Sequence, residues 1–242
     1  MHAGRLNMKK KMATGTSSCL SFGEPGLDRF FGPLEPGTIT YIESSTSFLF
    51  DVTYKIIAAA LRDLRSRAVH VDGCNMLNPY RMVKTMKRFR MNSANALERV
   101  SVCRAFTAYQ MSAIIDNALE ERVRDAALLV VSGIQYLYQD RDMRHKEAKV
   151  MLRRASHIIG ELTARFGLVT VISDIMRPHT RYLGDILTDV CHRHVGFARL
   201  GKGIRLSDLG AGVAVDHKPV PPYQTILDEF EAHWDGLSRP AL

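Results

Sequence analysis

Gly23-Glu-Pro-Gly-Leu-Asp-Arg-Phe-Phe-Gly-Pro-Leu-Glu-Pro-Gly37 leads into Thr38-Ile-Thr-Tyr-Ile42 and then Glu43-Ser-Ser-Thr-Ser-Phe-Leu-Phe-Asp51. The middle piece, β-branched and aromatic, predicts a short buried strand over Ile39–Ile42. A phosphate-binding turn after such a strand carries glycines, whose backbone N–H groups approach the ligand, and it ends in Gly-Lys-Ser/Thr. The stretch from Glu43 to Asp51 has no glycine and no lysine, and it ends in an acid. The frame of a nucleotide site is present without its chemistry.

Outward from that stretch, further apolar β-rich runs at Ala68–Val71, Ala127–Val131 and Leu168–Ile172 predict buried strands. Helical patterns over Val52–Arg67, Pro79–Phe89, Thr107–Arg122 and Arg144–Phe166 lie between them. Strands alternating with helices imply βαβ units and a parallel sheet covered on both faces. Val195–Arg199 and Ile204–Leu206 suggest a terminal hairpin around Gly201-Lys-Gly203. No internal repeat, transmembrane stretch or signal peptide is evident, and no membrane is expected as a partner.

Several segments, in order, resemble the RecA/RadA recombinase family, most closely its archaeal RadA and RadB branch. Gly23, Leu27, Asp28, Gly32, Gly37, Ile39 and Thr40 fit the glycine-spaced opening of that core. Val69-His-Val-Asp-Gly-Cys-Asn-Met-Leu-Asn-Pro-Tyr-Arg-Met82 is similar to its second core strand and continuation, and Val102-Cys-Arg-Ala-Phe106 to its Ala-Arg-Ala-Phe segment. The resemblance covers roughly residues 20 to 210. It implies an α/β fold: a RecA-like P-loop NTPase core with a mostly parallel β-sheet flanked by helices on both faces. It also implies a division into a flexible basic tail over 1–19, a core over 20–217 and an extension with a short helix over 218–242.

Carried onto this chain, the family's catalytic positions are degenerate. Its phosphate-binding lysine falls on Phe50 and its magnesium-side hydroxyl on Asp51; the next lysine is Lys55, inside the following helix. Phe50 offers no charge, and Asp51 repels phosphate. The magnesium-side aspartate at the end of the third core strand is replaced by Ser132, and the catalytic glutamate after the second by Cys74. Asp174 stands nearest the polar sensor. Glu43, Ser44, Ser45, Thr46 and Ser47 are then the remnant of the nucleotide loop. The expectation is no bound cofactor, neither ATP nor Mg²⁺; the competing reading is a rearranged site holding a metal through Glu43, Asp51, Asp72 or Asp174.

Composition supports a nucleic-acid partner. The chain is 46% hydrophobic and 24% charged, enough for an ordinary core, with a net charge of +8 that calls for an acidic partner. Cys19, Cys74, Cys103 and Cys191 lack metal or disulfide spacing and fit a reducing cytoplasm. In the family, loops after the third and fourth core strands face DNA; here they carry Arg141, Arg144, Lys146 and Lys149, then Arg177, Arg181 and Tyr182. Such residues contact phosphates and stack on bases, or simply form a solvated loop. Arg81, Lys84 and Arg88 share one helical face, readable as a phosphate-binding ridge or as solvated surface. His192 and His194 invite a metal reading without a third ligand, and so read as polar core or a DNA edge. The resemblance implies a catalytically inactive recombinase paralogue, an accessory factor in homologous recombination and DNA repair. Its partners would be DNA, single- or double-stranded, and a RadA-type recombinase or another paralogue. A divergent DNA-dependent ATPase and a pseudo-ATPase scaffold that does not touch DNA are the alternatives.

Overall fold

The computed structural model describes residues 19–75, 77–140, 143–176 and 183–219. The expected N-terminal tail, except Cys19, and the C-terminal helix lie outside them, as do Arg141, Arg177, Arg181 and Tyr182. Helix α1 spans Pro25–Phe31, β1 Thr38–Ser44, α2 Phe48–Ala59, β2 Arg67–Asp72, α3 Pro79–Arg88 and α4 Ser93–Leu97. Then follow β3 at Val100–Arg104, α5 at Ala108–Asn117, α6 at Leu119–Val123, β4 at Ala126–Ser132, α7 at Ile134–Tyr138 and α8 at His145–Phe166. The last elements are β5 at Val169–Ile175, α9 at Gly184–Thr188, β6 at Arg193–Leu200, β7 at Gly203–Asp208 and β8 at Val213–His217.

The eight strands of the described residues form one sheet in the order β3-β2-β4-β5-β1-β6-β7-β8. The six strands from β3 to β6 are parallel, and β7 and β8 close the sheet antiparallel. Alternation along each strand feeds two cores. Ile42, Leu128, Val130 and Val171 pack beneath α1 to α4, whereas Tyr41, Leu129, Val131 and Ile172 pack beneath α5 to α9. The helix after β1 therefore covers one face, and those after β4 and β5 cover the other. In open α/β sheets such a divergence leaves a crevice at the carboxyl ends of the strands, here beside Ser44.

The predicted α/β core is present, with corrections at element ends. The helix expected from Val52 to Arg67 begins earlier, at Phe48, because Phe48 and Leu49 are apolar and drop into the core. It passes into a π-helical turn at Ala60–Leu64 and stops at Arg65 in a left-handed conformation, freeing Arg67 to open β2. The helix expected over Thr107–Arg122 is two helices, broken at Ala118. The hairpin after residue 195 is longer than expected and gains a third strand, β8. Helix α3 starts cleanly because Asn78 Oδ1 accepts the N–H groups of Tyr80 and Arg81 while Pro79 presets the first turn. No described helix is long and apolar enough to cross a membrane.

Candidate functional site: a cationic cleft at the β1–α2 turn

The turn from β1 into α2 is only Ser45-Thr-Ser47. Ser44 Oγ accepts the Thr46 N–H at 3.1 Å and donates to the Thr46 carbonyl, and Thr46 Oγ1 accepts the Phe48 N–H at 3.2 Å. The Ser45 N–H donates to the Phe197 carbonyl on β6, and those of Leu49 and Phe50 to the carbonyls of Thr46 and Ser47. Five of the six N–H groups from Ser45 to Phe50 are thus spent inside the chain. Serine and threonine hydroxyls compete for backbone groups in this way and close tight turns. Phe48 packs edge-on against Phe197, with ring centroids 5.6 Å apart, and seals the turn from below.

Glu43 does not belong to this turn. It is still in β1, and strand alternation sends it to the opposite face from Ser44, a correction to its expected place in the loop remnant. There its carboxylate lies 3.4 Å from His194 Nε2, and His194 stacks on Tyr41 with centroids 5.1 Å apart and planes 15° apart. Tyr41 Oη accepts from Gln135 Nε2 at 2.8 Å. Asp174, across from Glu43 on β5, is fully buried; its Oδ1 accepts the N–H groups of Gln135 and Tyr136. Burial pushes the Asp174 carboxyl well above the usual carboxylate range, and the nearby Glu43 charge adds to the rise. His192 stands apart from His194, its Nδ1 accepting the Ile39 N–H.

The other strand ends are also committed. His70 Nε2, Ser132 Oγ and Ser173 Oγ form a buried chain with steps of 3.0 Å. Burial lowers His70 to about 4, against the pull of Asp72, so its ring is neutral. Asp72 accepts the Leu77 N–H and faces Arg104 at 3.6 Å. Cys74 lies against Gly133, where a methyl group would sit 2.4 Å from its sulfur. The carboxylates of the alternative metal reading do not converge: Asp51 pairs with Arg81 at 2.9 Å, on the other side of the sheet from Glu43 and Asp174. Among the described residues no group of three or more His, Cys, Asp or Glu is placed to hold a metal.

Above the turn lies a cleft of about 700 Å³ whose walls are the face of α3 and the tip of the β6–β7 hairpin. Among the described residues it gathers six cations, Lys55, Arg81, Lys84, Arg88, Arg199 and Lys202, around one carboxylate, Asp51. Lys55 reaches back to Glu24, a buried carboxylate that also meets His217 from β8. Burial would raise Glu24, but hydrogen bonds from His217 and Lys55 outweigh it and hold its pKa below the ordinary value. Gly26 permits this contact, since a Cβ there would collide with the His217 ring. Arg88, Arg199 and Lys202 have no carboxylate partner among the described residues. Sequence spacing put Arg81, Lys84 and Arg88 on one face, as the structure does; it missed Arg199 and Lys202, which only the sheet topology delivers. Arg144, Lys146 and Lys149 occupy the start of α8 and are not among the residues lining the cleft.

Residues 52–178 match the model of the Rad51 family, about half of the chain. The chain belongs to the Rad51 family. That places it in the RecA/Rad51 superfamily, whose proteins act in recombination and repair, and the eight-stranded sheet agrees with a RecA-like core. The Rad51 match begins at Val52, the residue after Asp51, so the cleft is built partly from matched residues, such as Arg81 and Arg88, and partly from residues outside the match. No curated protein matches the chain.

Proposed function

We propose that this protein is a Rad51-family accessory factor in homologous recombination and DNA repair that works without ATP turnover, through contacts with DNA and a RadA-type recombinase or paralogue. One observation carries the reading. At the turn where the family would cradle phosphate, five of the six N–H donors are consumed by Ser44, Thr46, Ser47 and Phe197, and Phe50 and Asp51 stand at the lysine and hydroxyl positions. A nucleotide–magnesium complex needs donors and a cation there; these residues do not fit it. Ser132 and Cys74 supply no carboxylate at the other two positions, and Asp174, buried and bound to two backbone amides, is a structural anchor.

Residues 20–217 form the core unit in this reading. Its partner surface is supported by the edge strand β3, which among the described residues borders only β2, and by the exposed aromatic rings of Phe106 and Tyr109 beyond it. Exposed edges and aromatics are surfaces on which a second chain docks.

Titration of the full chain with a fluorescent ATP analogue and Mg²⁺ tests the proposal. No saturable binding is expected up to millimolar nucleotide. Saturation in the micromolar range would overturn the inactive reading in favour of the divergent ATPase. Absence of any DNA or recombinase binding at low salt would leave the scaffold reading instead.

A further inference from the structure

We propose that the cleft between α3 and the β6–β7 hairpin is a binding site for the phosphate backbone of single-stranded nucleic acid, with Tyr80 stacking on a base at its rim. The inference rests on the nucleic-acid reading above and gives that reading a place, distinct from the loops after β4 and β5.

Charge is the first ground. Six cations meet one carboxylate in a concave wall. Asp51 offsets Arg81, and Glu24 offsets Lys55, but Arg88, Arg199 and Lys202 face the cleft with no carboxylate partner among the described residues. Clefts lined by one sign of charge focus the field and draw in counter-charged ligands. Two elements more than a hundred residues apart in sequence supply the two walls, so this is no run of solvated charge along a single helix.

Shape is the second. Arg81 to Arg88 spans seven residues of helix, about 10 Å, room for about three phosphates of a strand that keeps the 3.4 Å stacked rise and fewer of an extended one. The cleft volume, about 700 Å³, is that of a small-molecule pocket and too small for two paired strands. A mononucleotide would need the donors of the turn, which are committed within the chain. An extended strand needs only side-chain cations.

Tyr80 is the third. It is the second residue of α3, one turn before Lys84, just outside the residues that line the cleft, and 86% of its surface is exposed. Cations tracking a backbone beside an aromatic platform are the usual recipe for single-strand binding.

The test is fluorescence anisotropy with a labelled oligothymidylate, using the full chain. The variant R88Q/R199Q/K202Q should bind at least tenfold more weakly at about 100 mM salt, and its log–log salt slope should flatten by about 2, near 0.7 per lost cation. Tyr80→Ala should weaken binding about tenfold and leave the slope unchanged, which separates stacking from charge. R144Q/K146Q/K149Q, at the start of α8, should bind more tightly than R88Q/R199Q/K202Q. All these side chains are at the surface, and circular dichroism checks folding. If the α8 variant loses binding while the cleft variant keeps it, the cleft assignment is wrong and the accessory function stands. Equal affinity for duplex overturns the single-strand assignment. No oligonucleotide binding by the parent chain at any salt defeats the DNA part of the functional reading as well.

Discussion

Asp174 and His70 are buried titratable groups that tie stability to pH in opposite directions. Burial holds the Asp174 carboxyl well above its ordinary range in the folded chain, whereas the unfolded chain ionises it near pH 3.9. Above that pH, and up to its raised folded value, the unfolded state holds fewer protons, so stability falls as pH rises. His70 is lowered to about 4 by burial, so the unfolded chain takes up its proton first as pH falls from about 6.5, and stability is lost between those values. Asp174→Asn keeps an oxygen for the Gln135 and Tyr136 N–H groups and removes the ionisation. Its urea midpoint should exceed the parent's at pH 7, with the excess shrinking toward pH 4; a constant difference across pH would reject the assignment. Gly133 makes a second residue-level case. Its φ is +69°, and a Cβ would lie 2.4 Å from Cys74 Sγ and 2.7 Å from Cys74 N. Gly133→Ala should therefore cost at least about 2 kcal/mol, from left-handed strain and the clash together, seen as a lower denaturation midpoint with native-like circular dichroism.

At the scale of elements, the β1–α2 junction explains why two substitutions will not restore a nucleotide site. F50K/D51T places a lysine and a hydroxyl at the family's positions, yet the backbone N–H groups remain bonded to Ser44, Thr46, Ser47 and Phe197. The doubly substituted chain should still show no saturable binding of the ATP analogue; micromolar binding would mean that side chains alone had disabled the turn. The same junction shows what could be read in advance. The buried runs of β1, β2, β4 and β5 were legible because strands covered on both faces are continuously apolar. Strand β3 was not: Val100-Ser-Val-Cys-Arg104 is a short edge in which the half-buried Ser101 and the exposed Arg104 break the run. Strand β8 is exposed along nearly its whole length and carries little hydrophobic signal. Glu43 was misplaced because the last residues of a strand cannot be told from the first of a turn by composition, and the register within the strand decides which face a side chain takes.

Over the whole molecule, the candidate site divides along the same line. Local spacing on α3 was enough to align Arg81, Lys84 and Arg88, but the hairpin wall with Arg199 and Lys202 arises only because β6 lies next to β1. The excess of positive charge, +8 for the chain, has a focus that composition could announce but not locate.

Strand β1 lies between β5 and β6, which come at residues 169–175 and 193–200. During synthesis, Ile39, Tyr41 and Ile42 must therefore wait for both neighbours until translation has passed Leu200. At about 5–20 residues per second, that interval is roughly 10–30 s. Until β5 is made, for most of that time, the middle of the future sheet is an apolar strand with two open edges, the state in which nascent chains aggregate or recruit chaperones. The order of strands that builds the cleft thus also makes the newborn protein dependent on its last third.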